Sequence, residues 1–85
     1  AISHDRLRKV GQAEAWLIGR GFPRVRVRSQ GLSARIEVPH ERLAELLASE
    51  LREDLVRFML ELGFTSVSLD LEGLVSGKLN RVGPG

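Results

Sequence analysis

Two stretches of this sequence alternate charged and apolar residues so regularly that each must form a β-strand with one charged face and one apolar face. The first stretch, residues 24–28, reads RVRVR, and the second stretch, residues 33–38, reads SARIEV. The short gap between them contains Gly31, which predicts an antiparallel hairpin. The fold must therefore bury one face of this hairpin and leave the other face open.

A two-residue turn at residues 30–31 sets the predicted register of the hairpin. In that register, Arg24 lies opposite Glu37 and Arg26 lies opposite Arg35 on the charged face. Like charges directly opposite each other destabilise a sheet. We therefore expect an anionic group over the arginine pair.

Apolar residues at helical spacing precede and follow the hairpin. They predict one helix that ends at Gly21 and a longer helical stretch over residues 43–62 that ends at Gly63 and breaks near Ser49. Residues 66–71 alternate again and predict a third strand. The order αββαβ predicts an α+β fold, a two-layer sandwich whose helices cover one face of a small, three-stranded, mostly antiparallel sheet. Such a unit is similar to a ferredoxin-like domain that lacks one strand.

Both predicted helices end in the same way, with a glycine and a phenylalanine followed by a strand that alternates from Val25 or from Val67. One interpretation is an internal duplication. The other is that a helix ending in glycine with an aromatic residue after it is a common way to dock a helix on a strand. In either case, the arginines of the first strand correspond to Ser68 and Asp70 of the third.

The composition limits the size and the electrostatics of the protein. A chain of 85 residues, 42% of them hydrophobic, suits one small domain, predicted over residues 1–73, with a flexible glycine-rich tail over residues 74–85. The net charge of +2 makes general attraction to polyanions weak. Nearly all of the cations are arginines, which suit discrete phosphate or carboxylate sites because the guanidinium group is a planar, bidentate donor. The same bias also suits a GC-rich genome.

Several classes of function lack the residues that they need. The sequence has no cysteine, which excludes disulfides, thiolate metal sites and cysteine nucleophiles. No apolar run approaches the roughly 18 residues of a membrane span, so we expect a cytoplasmic protein without a membrane partner. Phe22, Phe58 and Phe64 are assigned to helix docking, which leaves no aromatic residue on the open face for base stacking, and a nucleic-acid partner is therefore not expected.

Several short motifs agree in spacing with one known family. They are AE at 13–14, GF at 21–22, VRVR at 25–28, ARIEV at 34–38, GF at 63–64, LDLEG at 69–73 and SG at 76–77. Together they resemble, over nearly the whole chain, the C-terminal domain of the LarE family. Members of that family are relatives of the PP-loop ATP pyrophosphatases and act as ATP-dependent, sacrificial sulfur transferases.

The resemblance implies a domain for substrate binding and oligomerisation, with a phosphate-bearing or nucleotide-like substrate and assembly into trimers or pairs of trimers. It also implies that Arg26 and Arg28, with Arg35 beside them, hold the substrate phosphate, and that Glu14 and Glu37 bind a divalent metal ion. The alternative for the arginines is a solvated strand face, and the alternative for the glutamates is an ordinary salt bridge.

Two parts of the family's activity are missing from this sequence. An adenylating PP-loop of the form SGGxDS does not occur, and the sacrificial cysteine is absent as well. The resemblance therefore implies that ATP acts through a domain absent from this chain, which is catalytically incomplete alone and is not by itself identified as an enzyme. A second class of function remains open: a stand-alone module that binds anions or nucleic acid through its arginine face.

Overall fold

The computed structural model of the protein describes residues 4–75, which form three helices and a three-stranded sheet. In chain order the elements are helix α1 (His4–Gly19), strands β1 (Arg26–Gln30) and β2 (Ser33–Glu37), a 3₁₀ turn (His40–Arg42), helices α2 (Leu43–Leu46) and α3 (Ser49–Leu62), and strand β3 (Ser66–Leu69). The α+β class, the three strands and the predicted break in the second helical stretch are confirmed.

The sheet is mixed, with β2 in the centre, antiparallel to β1 and parallel to β3. A tight turn joins β1 to β2, and only antiparallel strands can be joined in that way. The two helices α2 and α3 lie between β2 and β3, and such a crossover returns the chain in the parallel direction. The sheet therefore contains one antiparallel and one parallel pair, where a mostly antiparallel sheet was predicted.

The hairpin turn lies one residue further along the chain than predicted. Gln30 pairs with Ser33, so that Gly31 and Leu32 are the two central residues of the turn. Gly31 has a φ of 60°, as the first central residue of a type II′ turn requires, and a glycine adopts this conformation without steric cost. The new register keeps every side chain on its predicted face, because the shift between the strands is two residues and side chains alternate with a period of two.

A glycine with left-handed backbone conformation follows each long helix and terminates it, Gly21 with a φ of 99° after α1 and Gly63 with a φ of 110° after α3. This conformation costs a residue with a Cβ roughly 1–2 kcal/mol, and glycine avoids that cost. The phenylalanine after each glycine, Phe22 or Phe64, is buried. The predicted positions of both helix ends are confirmed.

The hydrophobic core lies between the sheet and the helices. Its buried side chains come from all three helices, from β1 and β2, and from the segments next to the strands: Ala13, Leu17, Phe22, Val25, Val27, Ala34, Ile36, Val38, Leu46, Leu55, Met59 and Phe64. Apolar residues of β1 and β2 face this core, and the charged residues between them face the other way. The helices thus cover one face of the sheet, as the alternating pattern predicted.

The chain continues to pack after β3. The backbone N–H of Leu74 donates a hydrogen bond to the carbonyl oxygen of Val38 at 2.8 Å, and both Leu74 and Val75 are half-buried. Residues 76–85 lie outside the described residues, so the domain boundary at residue 73 and the flexible tail stay predictions. Within residues 4–75, every helix is too short or too polar to cross a lipid bilayer.

Candidate functional site

The face of the sheet that points away from the helices, called the open face below, carries three rows of polar side chains. Strand pairing places Arg26 beside Glu37 in the first row, Arg28, Arg35 and Ser68 in the second row, and Gln30, Ser33 and Ser66 in the third row. Among residues 4–75, the first two rows contain all the arginines of the open face. The third row, next to the hairpin turn, contains only hydroxyl and amide groups and is called the neutral row below.

Two arginines do lie opposite each other, but they are not the predicted pair. Arg28 is the residue that pairs with Arg35, and Arg26 pairs with Glu37. The predicted pairs, Arg24 with Glu37 and Arg26 with Arg35, were wrong because the turn lies one residue further along. Like charges therefore still face each other, but at a different place in the sheet.

Glu37 lies between these two arginines and is only 3% exposed, although it belongs to the open face. Its Oε1 atom is 3.5 Å from Nε of Arg28, and its Oε2 atom accepts a hydrogen bond from Nη2 of Arg35 at 3.2 Å. Asp70 places Oδ2 3.7 Å from Nε of Arg35. A buried carboxylate is tolerated when it is paired with opposite charge. The protein thus supplies part of the negative charge that the arginine pair requires.

The guanidinium groups remain accessible from solvent. The side chains of Arg28 and Arg35 are 56% and 48% exposed. Arg26 is exposed as well and forms no ion pair with any other residue of the described range 4–75. Arg28 and Arg35 therefore share the carboxylates of Glu37 and Asp70, while Arg26 adds a third guanidinium group, and an external anion can still reach them. Guanidinium groups bind phosphate through paired, charge-assisted hydrogen bonds.

Glu14 lies at the edge of the sheet. Its Oε2 atom accepts a hydrogen bond from the backbone N–H of Val27 at 2.9 Å. Because β1 is an edge strand and its Val27 N–H is bound by a helix residue, this N–H points outward and away from β2. Glu14 therefore caps the exposed edge of β1, which protects that edge from pairing with another chain.

The two predicted metal ligands have different partners: Glu37 has two arginines, and Glu14 has a backbone amide. Among residues 4–75, no three histidine, cysteine, aspartate or glutamate side chains are grouped so that they could hold a metal ion. A divalent cation at Glu37 would have to displace arginines that carry the same sign of charge. The residues described thus do not fit a metal site by themselves, and the predicted metal ion stays a prediction.

Sequence reasoning did not include the hydroxyl groups of the open face in the site. The hydroxyl of Ser66 donates a hydrogen bond to Oγ of Ser33 at 2.8 Å, and the hydroxyl of Ser68 donates one to the carbonyl oxygen of Ala34 at 3.3 Å. The alternation along residues 66–70 indicated that these serines share a face. It did not indicate that β3 lies next to β2, because packing of the helices decides which strands become neighbours.

Aromatic residues are absent from the open face within the described part of the chain. Phe22 and Phe64 are buried in the core, and Trp16 stacks on Phe58 with ring centroids 5.2 Å apart, next to the same core. Base stacking on aromatic rings is the usual basis of binding to single-stranded nucleic acid. As far as residues 4–75 form it, the open face therefore has charge for an anion but no aromatic ring on which a base could stack.

Comparison with known proteins identifies two related sequences, while no protein-family model matches the chain. The chain is 44% identical over 81 residues to an uncharacterised protein of Synechocystis, an alignment that covers 95% of this chain and 30% of that protein. It is 42% identical over 79 residues to the pyridinium-3,5-bisthiocarboxylic acid mononucleotide synthase of Lactiplantibacillus plantarum, covering 93% of this chain and 28% of that protein. The chain thus spans less than a third of the length of either curated relative.

Proposed function

Because the chain is a domain of the LarE-type sulfur transferase family, related to it over nearly all of its length, we propose that it is the substrate-binding domain of a LarE-like, ATP-dependent sulfur transferase. The family resemblance seen in the sequence is confirmed by the 42% identity to the Lactiplantibacillus plantarum synthase. The name of that relative identifies its product as a mononucleotide with acid groups on a pyridinium ring. Such a molecule carries a phosphate, which is the kind of group that clustered arginines bind.

The observation that supports this proposal best is the arrangement of charge on the open face. Arg26, Arg28 and Arg35 lie on two adjacent strands, and two of them are held by the buried carboxylate of Glu37. A guanidinium group that is already fixed loses less conformational freedom when it binds a ligand. In this proposal the arginines bind the phosphate of the substrate, and Glu37 keeps Arg28 and Arg35 in position.

The remaining steps of the reaction belong to other parts of the protein in this proposal. The sequence has neither an SGGxDS loop nor a cysteine, so ATP activation and sulfur donation would take place on a domain that this chain does not contain. The proposal also includes homo-oligomers, as trimers or pairs of trimers, in the cytoplasm. Oligomerisation is supported by large apolar side chains that are exposed on α1 and α3, namely Leu7, Ile18, Val56 and Leu60.

Calorimetric titration with nicotinic acid mononucleotide, a pyridinium carboxylic acid mononucleotide, tests the proposal. We expect binding of this probe and much weaker binding of the corresponding nucleoside, which lacks the phosphate. Arg26→Ala and Arg28→Ala should each weaken binding by roughly 1.5–3 kcal/mol, because each removes a charge-assisted hydrogen bond. Arg52→Ala is the matched control, since Arg52 is exposed on α3 and does not belong to the open face.

Two results would contradict the proposal. Unchanged affinity in the double variant Arg26→Ala/Arg28→Ala would remove these arginines from the site. Tighter binding of a single-stranded oligonucleotide, with an affinity that falls steeply as salt is added, would favour the stand-alone nucleic-acid module instead.

A further inference from the structure

The neutral row differs from the rest of the open face in its chemistry. Gln30, Ser33 and Ser66 lie side by side on β1, β2 and β3, and none of them carries a charge. Neighbouring strands are about 4.8 Å apart, so the row spans roughly 10 Å across the sheet. Along a strand, residues two positions apart on one face are separated by roughly 7 Å, so the neutral row lies about this far from the Arg28–Arg35 pair.

We propose that the neutral row is a subsite for the hydroxyl groups of a sugar, so that the open face binds a phosphorylated sugar with its phosphate on Arg28 and Arg35. This inference rests on the proposed function, since it requires the arginines to bind phosphate. It adds a second recognition element, which selects the sugar part of a mononucleotide. It also gives the ligand a direction, with the sugar toward the hairpin turn.

The donors and acceptors of the neutral row match the chemistry of a diol. A sugar hydroxyl both donates and accepts hydrogen bonds, and so do serine hydroxyls and the glutamine amide. Ser66 donates to Oγ of Ser33 at 2.8 Å, and the hydroxyl hydrogen of Ser33 is bound to no other residue among those described. The pair of serines can therefore donate through Ser33 and accept through Ser66, while Gln30 offers both functions on the neighbouring strand.

Other ligand groups fit this row less well. A second phosphate or carboxylate would lack a cationic partner there, because the row has no arginine, lysine or histidine. A nucleobase would lack an aromatic ring on which to stack, since the described part of the open face has none. The two parts of the open face together therefore suit a ligand in which a neutral polyhydroxyl group lies next to an anionic group.

Titration with two probes, inorganic phosphate and ribose 5-phosphate, tests this subsite. We expect the unmodified chain to bind ribose 5-phosphate more tightly than phosphate. The double variant Ser33→Ala/Ser66→Ala should lower the affinity for ribose 5-phosphate about tenfold, which corresponds to the loss of one or two hydrogen bonds, and should leave phosphate binding within about twofold. Ser29→Ala is the matched control, because Ser29 lies on the same hairpin but alternates to the opposite face.

The variants separate this inference from the proposed function. Ser33→Thr keeps a hydroxyl on the strand and should keep the preference for ribose 5-phosphate. Two results together would overturn the sugar subsite alone. In the first, Arg28→Ala abolishes phosphate binding; in the second, the serine double variant and the unmodified chain bind ribose 5-phosphate with equal affinity. No measurable phosphate binding, or phosphate binding that survives Arg28→Ala, would overturn the proposed role of the arginines and the sugar subsite with it.

Discussion

The α1–β1 unit and the α3–β3 unit have the same construction, yet only the first carries guanidinium groups on the open face. In the first unit, the N–H of Phe22 donates to the carbonyl oxygen of Leu17 at 3.0 Å. In the second unit, the N–H of Phe64 donates to the carbonyl oxygen of Met59 at 3.2 Å. Both bonds close the helix with the six-to-one hydrogen bond of a Schellman motif, and Leu17 and Met59 are both fully buried.

The two units also contact each other through equivalent residues. The offset between the units is 42 residues, from 64 − 22, and the same offset relates Trp16 to Phe58. These two rings stack with 5.2 Å between centroids and 14° between planes. Contact between equivalent residues is typical of elements related by a two-fold axis. The two units thus pack against each other in equivalent positions.

The difference between the units lies on the face that the core does not constrain. Arg26 and Arg28 correspond to Ser68 and Asp70, again with the offset of 42 from 68 − 26. The first unit thus supplies cations, and the second supplies a carboxylate and a hydroxyl to the same open face. The comparison shows that one scaffold can be used twice with different surface chemistry, because packing constrains only the buried half of each strand.

The largest expected effect tests whether the two units contribute equally to stability. Leu17→Ala and Met59→Ala should each lower the free energy of unfolding by about 2–5 kcal/mol, because each leaves a cavity at an equivalent, fully buried position. Urea unfolding followed by circular dichroism measures both. Leu71→Ala is the control, since Leu71 is 82% exposed and its truncation should cost little. A large loss in one variant and almost none in the other would break the equivalence of the units.

Much of this common scaffold could be predicted from the sequence, because its signals are local. Gly21 and Gly63 end helices for a reason that lies in the backbone of a single residue, and the period of two in 24–28 and 33–38 identifies strands by itself. The hairpin register was missed for a physical reason as well. Turns at 30–31 and at Gly31–Leu32 place the same side chains on the same faces, so the hydrophobic pattern does not distinguish them.

The ion pairs between side chains of the open face could not be predicted from the sequence. On an open strand face a glutamate is expected to be solvated, yet Glu37 is buried and forms ion pairs with Arg28 from β1 and Arg35 from its own strand. Asp70 reaches Arg35 only because β3 runs parallel to β2. These contacts depend on strand order and register, which are set by the packing of the whole domain.

The next largest effect tests a difference between the units at the sheet edges. Glu14 and Val56 occupy equivalent positions, with 56 − 14 giving the same offset of 42, but only Glu14 binds an edge strand. Glu14→Ala should lower the free energy of unfolding by roughly 1.5–3 kcal/mol, because the Val27 N–H loses a charged acceptor. Val56→Ala should cost only about 0.5 kcal/mol, since this side chain lies at the surface. Thermal unfolding compares the stability of the two variants. Glu14→Gln keeps an acceptor, so its loss of stability should lie between those of Glu14→Ala and Val56→Ala. Equal losses at the two positions would show that the edge cap contributes nothing specific.

The smallest expected effect concerns the first turn of α1, which contains a charge cluster around Asp5. The position equivalent to Asp5 at the offset of 42 is Leu47, which is uncharged and precedes α3. The Arg8 guanidinium, which donates to Oδ1 of Asp5 at 2.6 Å, and the Lys9 ammonium together hold the pKa of Asp5 below its ordinary value of 3.8. A carboxylate whose pKa is lower in the folded state stabilises that state above its unfolded pKa, and this contribution is lost as the pH falls through the folded pKa. Because Asp5 is exposed, we expect the contribution to be small and to decrease with added salt.

Titration of the Asp5 carboxyl carbon by NMR should give a midpoint below 3.8, which moves up in Arg8→Ala and stays unchanged in the control Arg52→Ala. A midpoint that does not respond to Arg8→Ala would show that the cluster has no effect in solution.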